Sequence, residues 1–170
     1  KKITDFKAAG HFEESPAVWQ GDGIKIYGLD FPGLKTCADA RSALAAFLKL
    51  TKDGDYVAIN AYLPRNAATL EELQGLRSVV LSNTNCATTL GFGPRFLHST
   101  GQLHKGGANN GVFVQITADP ETDLEIPGQG INFGDLERAQ ALGDLEALLN
   151  RNRRAIRIHL PNWKRIKDLI

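Results

Sequence analysis

The middle of the chain alternates between apolar runs and amphipathic segments, and this alternation constrains the fold more than any other feature. The runs at 56–63 and 111–117 are mostly apolar, which is typical of strands buried on both faces. A shorter strand is predicted at 86–90, and helices are predicted between and beside these strands at 36–50, from 69 onward and at 95–105. Strands that alternate with helices form βαβ units with parallel strands, so we expect an α/β fold.

The flanking segments extend this pattern at both ends of the chain. Alternating residues predict strands at 24–27 and 155–160, and leucines at helical spacing predict a helix at 135–150. We expect residues 1–22 to be an irregular lead-in and 161–170 to be a basic tail able to form a short helix. The whole chain is then one domain, a three-layer αβα sandwich with a mainly parallel five-stranded sheet.

Length, charge and cysteine content exclude several functional classes. The 170 residues are enough for one domain with its own core, and 20 Lys+Arg against 19 Asp+Glu lack the basic excess of a nucleic-acid binder. No apolar stretch is long enough to span a membrane. Cys37 and Cys86 have no CxxC spacing and are expected to be free thiols, which favours the cytoplasm. The chain has no Met and opens on Lys1, so we expect it to be processed or excised from a longer one.

The clearest functional signal lies where the strand at 86–90 ends. Ligands of open α/β sheets bind beyond the carboxyl ends of the strands, and here a glycine-rich turn at 91–95 leads directly into a predicted helix. Unpaired amides at a helix start favour an anion. Helical spacing predicts one polar face, flanked by Ser99 and Thr100, that consists of Arg95, His98, Gln102 and Lys105.

Such a face suits a phosphorylated polyhydroxy ligand. Arginine and lysine would hold phosphate, glutamine would bond hydroxyl groups, and histidine could move protons. We therefore predict His98 as the catalytic residue, and the predicted substrate-binding residues are Arg95, Ser99, Thr100, Gln102, His104 and Lys105. The alternative is a polar helix face that is merely solvated.

Other chemistries fit these residues poorly. The turn at 91–93 lacks the third glycine of a dinucleotide fingerprint, and 101–107 lacks the Lys-Ser/Thr pair of a phosphate-binding loop. His98 and His104 are not at the spacing that lets two histidines share a metal on one helix face, so no metal site is predicted. Ser99 has no nucleophile-elbow motif around it.

The segment 91–107, GFGPRFLHSTGQLHKGG, together with 109–117, resembles the phosphoglucose isomerase part of bacterial bifunctional transaldolase/phosphoglucose isomerases. Shorter stretches at 14–19, 139–148 and 154–160 fit the same resemblance, which therefore runs from about 14 to 160. It implies a sugar-isomerase (SIS) fold and interconversion of glucose 6-phosphate and fructose 6-phosphate. That reaction proceeds by ring opening and an enediol and needs no cofactor. The resemblance makes His98 the candidate for ring opening.

The chain departs from this family at two catalytic positions. The segment 80–85 has no carboxylate where these enzymes carry a base glutamate, and Asp144 stands where they carry a lysine. The base could be Glu121, Glu125 or a residue of another lobe. The resemblance also implies an N-terminal lobe and a transaldolase domain in the same chain, as partners alongside a phosphorylated sugar.

These departures leave alternative functions open. The chain could be one lobe of a competent isomerase, or a sugar-phosphate-binding or structural SIS lobe that has lost the proton chemistry. A regulatory SIS domain that binds a sugar phosphate as an effector is a third interpretation. The alternatives differ in the role of the residues around His98: they catalyse a reaction, they bind a sugar phosphate without catalysis, or they are only structural.

Overall fold

The computed structural model describes residues 2–170 and contains five α-helices and six β-strands. Short 3₁₀ helices occur at Leu34–Thr36, Arg95–His98 and Trp163–Leu169. The other elements, in chain order, are α1 (Lys2–Ala9), β1 (Trp19–Gly21), β2 (Ile24–Gly28), α2 (Ala40–Leu48), β3 (Tyr56–Tyr62), α3 (Ala67–Thr84), β4 (Ala87–Phe92), α4 (Thr100–Gly106), β5 (Gly111–Ala118), α5 (Phe133–Leu149) and β6 (Arg154–Leu160).

The strands form a single mixed sheet in the order β1-β2-β6-β5-β3-β4, with helices on both sides. Neighbours among β6, β5, β3 and β4 run parallel, whereas β1 and β2 are antiparallel. The α/β prediction is confirmed. The prediction of a mainly parallel five-stranded sheet is wrong, because a two-residue turn with positive φ at Asp22 and Gly23 folds β1 back onto β2 as a hairpin.

The two faces of the sheet differ in character. On one face, side chains such as Val57, Ile59 and Val114 are fully buried in the main core, together with residues of α2 and α3. On the other face lies a smaller cluster, in which Phe113 and Leu148 join β5 to α5. This second face also carries polar side chains toward the carboxyl ends of the strands, and it positions the candidate site.

Two segments differ from the sequence predictions, and a third agrees with its prediction. The lead-in is ordered: α1 and β1 lie within it, and Phe6 and Phe12 stack at 4.4 Å, although residue 1 lies outside the described part. The tail at 161–170 forms the expected short helix, a 3₁₀ helix that buries Ile166 and Leu169 in the main core. The predicted helix at 95–105 is interrupted at Ser99.

The interruption at Ser99 has a packing cause. Phe96 is buried against the ring of Tyr62, with centroids 5.7 Å apart, and this holds the 3₁₀ turn down on the sheet. The chain then leaves the helical conformation at Ser99, where φ is −132° and ψ is −107°. Gly101 lies so close to Phe96 that a Cβ there would stand 2.8 Å from its carbonyl oxygen. Two short helices therefore replace one.

The described helices are too short or too polar to cross a bilayer. Cys37 is half-buried and Cys86 is buried, and both are free thiols.

Candidate functional site

The 91–107 segment lies at the carboxyl end of β4, as the strand-end rule predicts. Because the chain breaks at Ser99, Arg95 and His98 belong to the 3₁₀ turn, whereas Gln102 and Lys105 belong to α4. The prediction that these side chains share one helical face is therefore wrong. The predicted site residues that are exposed are Arg95, His98, Ser99, Thr100 and Gln102.

Gln102 is partly committed to the loop itself. Its Nε2 donates to the backbone carbonyl of Leu97 at 2.6 Å, which ties α4 to the preceding turn. Its amide oxygen has no such role and can accept from a ligand hydroxyl. The exposed Arg95 and His98 on the same turn offer a cation and a proton-transfer group to solvent.

Lys105 is held by a counter-ion. Its Nζ lies 2.7 Å from Oδ1 of Asp144 on α5, and the two side chains are only 16% and 3% exposed. The carbonyl oxygen of Lys105 accepts from Nη2 of Arg153 at 2.9 Å. Lys105 therefore fastens α4 to α5, and the charge predicted to hold phosphate is already balanced within the fold.

His104 points into the interior. It is 6% exposed, and its ring packs among those of Tyr56, Phe96 and Phe113 at centroid distances of 4.9 to 6.3 Å. Burial lowers the pKa of His104 below its usual value, although the nearby Asp144 carboxylate opposes this shift. The neutral imidazole therefore serves as a core ring in this structure.

We expect His104 to make the fold sensitive to acid. The pKa of His104 is lower in the folded than in the unfolded chain. Its contribution to the free energy of unfolding is therefore complete above about pH 6.5, the unfolded pKa, and is lost as the pH falls. His104→Phe should retain the aromatic packing and reduce the loss of unfolding free energy between pH 7.5 and pH 5.0, measured by urea denaturation. His11→Phe, at an exposed position, is the control. An unchanged pH dependence in His104→Phe would contradict the assignment.

Two polar rows cross the second face of the sheet near the strand ends. The strand register aligns Asn60 with Gln115 and Gln115 with Arg157, and two residues further along it aligns Tyr62, Thr117 and His159. These side chains interrupt strands that are otherwise almost wholly apolar. All of them except the half-buried His159 are buried.

A cavity of about 140 Å³ opens over the second row. It lies at the carboxyl ends of β3, β5 and β6, where ligands bind in α/β sheets. Its far wall is the first part of α5. We call it the strand-end cavity, and its lining includes Tyr62, Thr117, Asp119, Glu137, Arg138 and His159.

An ion-pair cluster closes one side of this cavity. Arg157, which is 2% exposed, pairs with one carboxylate oxygen of Glu14, and Arg138 pairs with the other at 2.7 Å. The guanidinium of Arg157 also lies 4.2 Å from the ring centroid of Tyr27. Burial alone would raise the pKa of Glu14, but the two arginines hold it below its ordinary value. The N-terminal segment is thus anchored to β6 and α5.

Several buried polar atoms near the cavity have no hydrogen-bond partner within residues 2–170. They include the Tyr62 hydroxyl, Oε1 of Gln115 and Nε of Arg157. Burial, together with the Asp144 and Glu137 carboxylates, raises the pKa of Tyr62 far above its usual range. Tyr62 therefore stays neutral, and its buried hydroxyl is an unpaired donor on a residue that lines the cavity. Buried polar groups of this kind normally contact water or a ligand.

Glu137 and His159 have perturbed pKa values in the same cavity. Burial raises the pKa of Glu137, and the neighbouring Asp123 carboxylate raises it further. Burial lowers the pKa of His159, although its Nε2 lies 3.3 Å from Asp119. The Nδ1 of His159 is 3.0 Å from the Thr117 hydroxyl. Perturbed titratable groups that share a cavity are typical of functional sites.

Sequence reasoning missed the strand-end cavity because its residues come from segments far apart in the chain. One signal was available: Asn60, Gln115 and Arg157 are polar residues inside strands that are otherwise apolar. Without the strand order, nothing indicated that these positions are neighbours. The alternation at 155–160 indicates only that Arg157 and His159 lie on the same face of a strand.

The fold and site together define an α/β protein with a polar cleft at the carboxyl ends of its parallel strands. No family model matches the chain, and no curated protein matches it. Among solved structures it is similar to the hypothetical protein TT0462 from Thermus thermophilus, with a TM-score of 0.59 and 21% sequence identity over 72% of this chain. At that identity the similarity shows the fold alone. The match covers 34% of the length of the Thermus chain.

Proposed function

We propose that this chain is a sugar-phosphate-binding lobe of an aldose–ketose isomerase that interconverts glucose 6-phosphate and fructose 6-phosphate. The observation that carries the proposal is the position of the 91–107 segment. The residues that resemble phosphoglucose isomerase lie at a strand end and expose Arg95, His98 and Gln102 together. Partners in the same protein would be a second lobe and a transaldolase domain.

The exposed groups fit the parts of such a substrate. A guanidinium such as Arg95 binds phosphate through two parallel hydrogen bonds. Ser99, Thr100 and the amide oxygen of Gln102 can bond sugar hydroxyls. Because Lys105 is paired with Asp144, we assign the phosphate to Arg95 rather than to Lys105.

His98 is suited to opening the sugar ring. An imidazole ring can both accept and donate a proton, so it can act as a general base or a general acid. Ring opening requires that the ring oxygen gain a proton while the hydroxyl on C1 loses one. The exposed imidazole of His98 can supply the first proton without leaving an uncompensated charge in the core.

A binding lobe with no chemistry of its own is the second candidate. It is favoured by the engagement of Lys105 with Asp144 and of His104 with the aromatic core, since both residues then have structural roles. In that case the exposed loop would hold the ligand, and catalysis would depend on other parts of the protein.

Mutation of the loop separates the two candidates. We expect His98→Ala to lower the isomerisation rate of the intact protein by about 10² to 10⁴-fold, which is the usual contribution of a general acid–base. We expect Arg95→Ala instead to weaken glucose 6-phosphate binding, measured by calorimetry. His11→Ala, at an exposed position, is the matched control. Full turnover by the His98→Ala protein would exclude a catalytic role for His98. If that protein also still binds glucose 6-phosphate, the function that remains is that of a binding lobe.

A further inference from the structure

We propose that Glu137, in the strand-end cavity, is the carboxyl group that removes and returns the proton at the reacting carbons. This inference rests on the proposed function, because it names the base of that same isomerisation. Glu137 lies outside the 91–107 segment.

Glu137 is positioned to contact a ligand rather than to stabilise the fold. It lies on α5, lines the strand-end cavity and is half-buried. Within residues 2–170 it has neither a hydrogen bond nor an ion pair, and burial and Asp123 are what raise its pKa. A carboxyl group in this setting is a stronger base than an exposed one and can also hold a proton at moderate pH.

The other glutamates near this end of the sheet, and Asp144, either have partners or are exposed. Glu121 pairs with Lys164 at 2.7 Å, which lowers its pKa, and Asp144 pairs with Lys105. Glu125 is exposed on the loop before α5. Glu14 is held by two arginines. The aspartates that line the cavity also have partners: Asp119 lies 3.3 Å from His159, and Asp123 and Asp135 accept from backbone amides. Glu137, by contrast, is half-buried and has no partner in the described part of the chain.

Tyr62 supplies the complementary group. Its neutral hydroxyl has no acceptor in the described part of the chain, and its ring contacts both the cavity and Gly93 of the exposed loop. Tyr62 and Glu137 both line the strand-end cavity. A substrate oxygen that accepts from Tyr62 would therefore lie near the carboxyl of Glu137.

The proton transfer balances without any further reactant. Glu137 removes the proton on C2 of the open-chain aldose, the C–H electron pair forms the C1=C2 bond, and the carbonyl pair moves onto O1. Tyr62 stabilises the negative charge on O1 by donating a hydrogen bond. A proton then passes from the C2 hydroxyl to O1, the C2=O bond forms, and C1 takes back the proton from Glu137. The enzyme ends unchanged.

The test uses the intact protein in wild-type, Glu137→Gln and Glu71→Gln forms. Glu71 is an exposed glutamate on α3, on the opposite side of the sheet. We expect Glu137→Gln to slow isomerisation by about 10² to 10⁴-fold. Exchange of the C2 proton of glucose 6-phosphate with solvent deuterium should be slowed equally, while the Kd for glucose 6-phosphate stays close to wild type. Glu71→Gln should match wild type in all three.

The outcomes distinguish the two proposals. Unchanged isomerisation and exchange in Glu137→Gln, with an active wild type, would overturn the role of Glu137 and leave the proposed function standing. A wild-type protein that neither binds nor isomerises the sugar phosphate would overturn both. Loss of ligand binding in Glu137→Gln, in step with loss of activity, would assign the residue to binding and overturn its role as the base.

A stability measurement provides a readout independent of activity. The folded state raises the pKa of Glu137, so the ionised carboxylate opposes folding above that pKa, and this penalty vanishes below the unfolded pKa. Glu137→Gln should therefore raise the Tm at pH 7.5 and change it less at pH 5.0. An equal Tm for wild type and variant at both pH values would show that the carboxyl is not desolvated and would overturn the proposal.

Discussion

Replacing Glu14 by alanine should lower the free energy of unfolding by about 3 to 5 kcal/mol, measured by urea denaturation at pH 7.5. Arg157 is 2% exposed, and Glu14 is the carboxylate that pairs with it. Removal of that carboxylate leaves a buried guanidinium beside a second cation, Arg138. The cost is high because Arg157 cannot reach water or release its proton.

The neighbouring Glu13 provides the control, since it lies outside the cluster and makes no ion pair within residues 2–170. Glu13→Ala should change stability by about 0.5 kcal/mol or less. The double variant Glu14→Leu, Arg157→Met should recover most of the loss, because it removes both charges and leaves apolar side chains. A small effect of Glu14→Ala, equal to that of Glu13→Ala, would contradict the anchoring role.

The second large effect is expected at Asp144. We expect Asp144→Ala to destabilise the chain by about 2 to 3 kcal/mol, because it deprives Lys105 of its counter-ion and Gln115 of an acceptor. The loss should be smaller than at Glu14, because the Lys105 side chain is 16% exposed and can extend its ammonium group toward solvent. Urea denaturation at neutral pH measures it.

Glu146 lies on the same helix and is the matched control. Its side chain is 53% exposed, and its pair with Lys2 is a surface pair, so Glu146→Ala should cost less than about 1 kcal/mol. Adding Lys105→Met to an Asp144→Leu variant should restore stability, since no unpaired charge remains. If Asp144→Ala and Glu146→Ala have the same effect, the ion pair does not hold α4 to α5.

Much of the fold was predictable from periodicity. The strands that became β3 and β5 are long apolar runs, and α5 carries leucines at helical spacing, so both signals are strong. The hairpin of β1 and β2 was not predicted as a sheet edge, because β1 has only three residues. The periodicity of a sequence also does not show in which direction a strand runs. The antiparallel pairing of β2 with β1 and β6 therefore could not be predicted from it.

The site was predicted only where it is local in sequence. The exposure of Arg95 and His98 follows from a glycine-rich turn at a strand end. The burial of His104 and the pairing of Lys105 depend on Phe113 and Asp144, which come from later elements. Glu137 could not be selected from the sequence, because what distinguishes it is its partial burial in a cavity formed by distant segments of the chain.

The position of β2 in the sheet has a consequence for how the protein is made. Its partners are β1 and β6, and β6 ends at Leu160, so the hairpin has no sheet to join until the chain has been synthesised as far as that residue. Pairing between such distant segments is slow, because loop closure must precede the contacts that stabilise it. During translation the β1–β2 hairpin therefore has an unpaired edge. The six-stranded sheet can be completed only once β6 has left the ribosome.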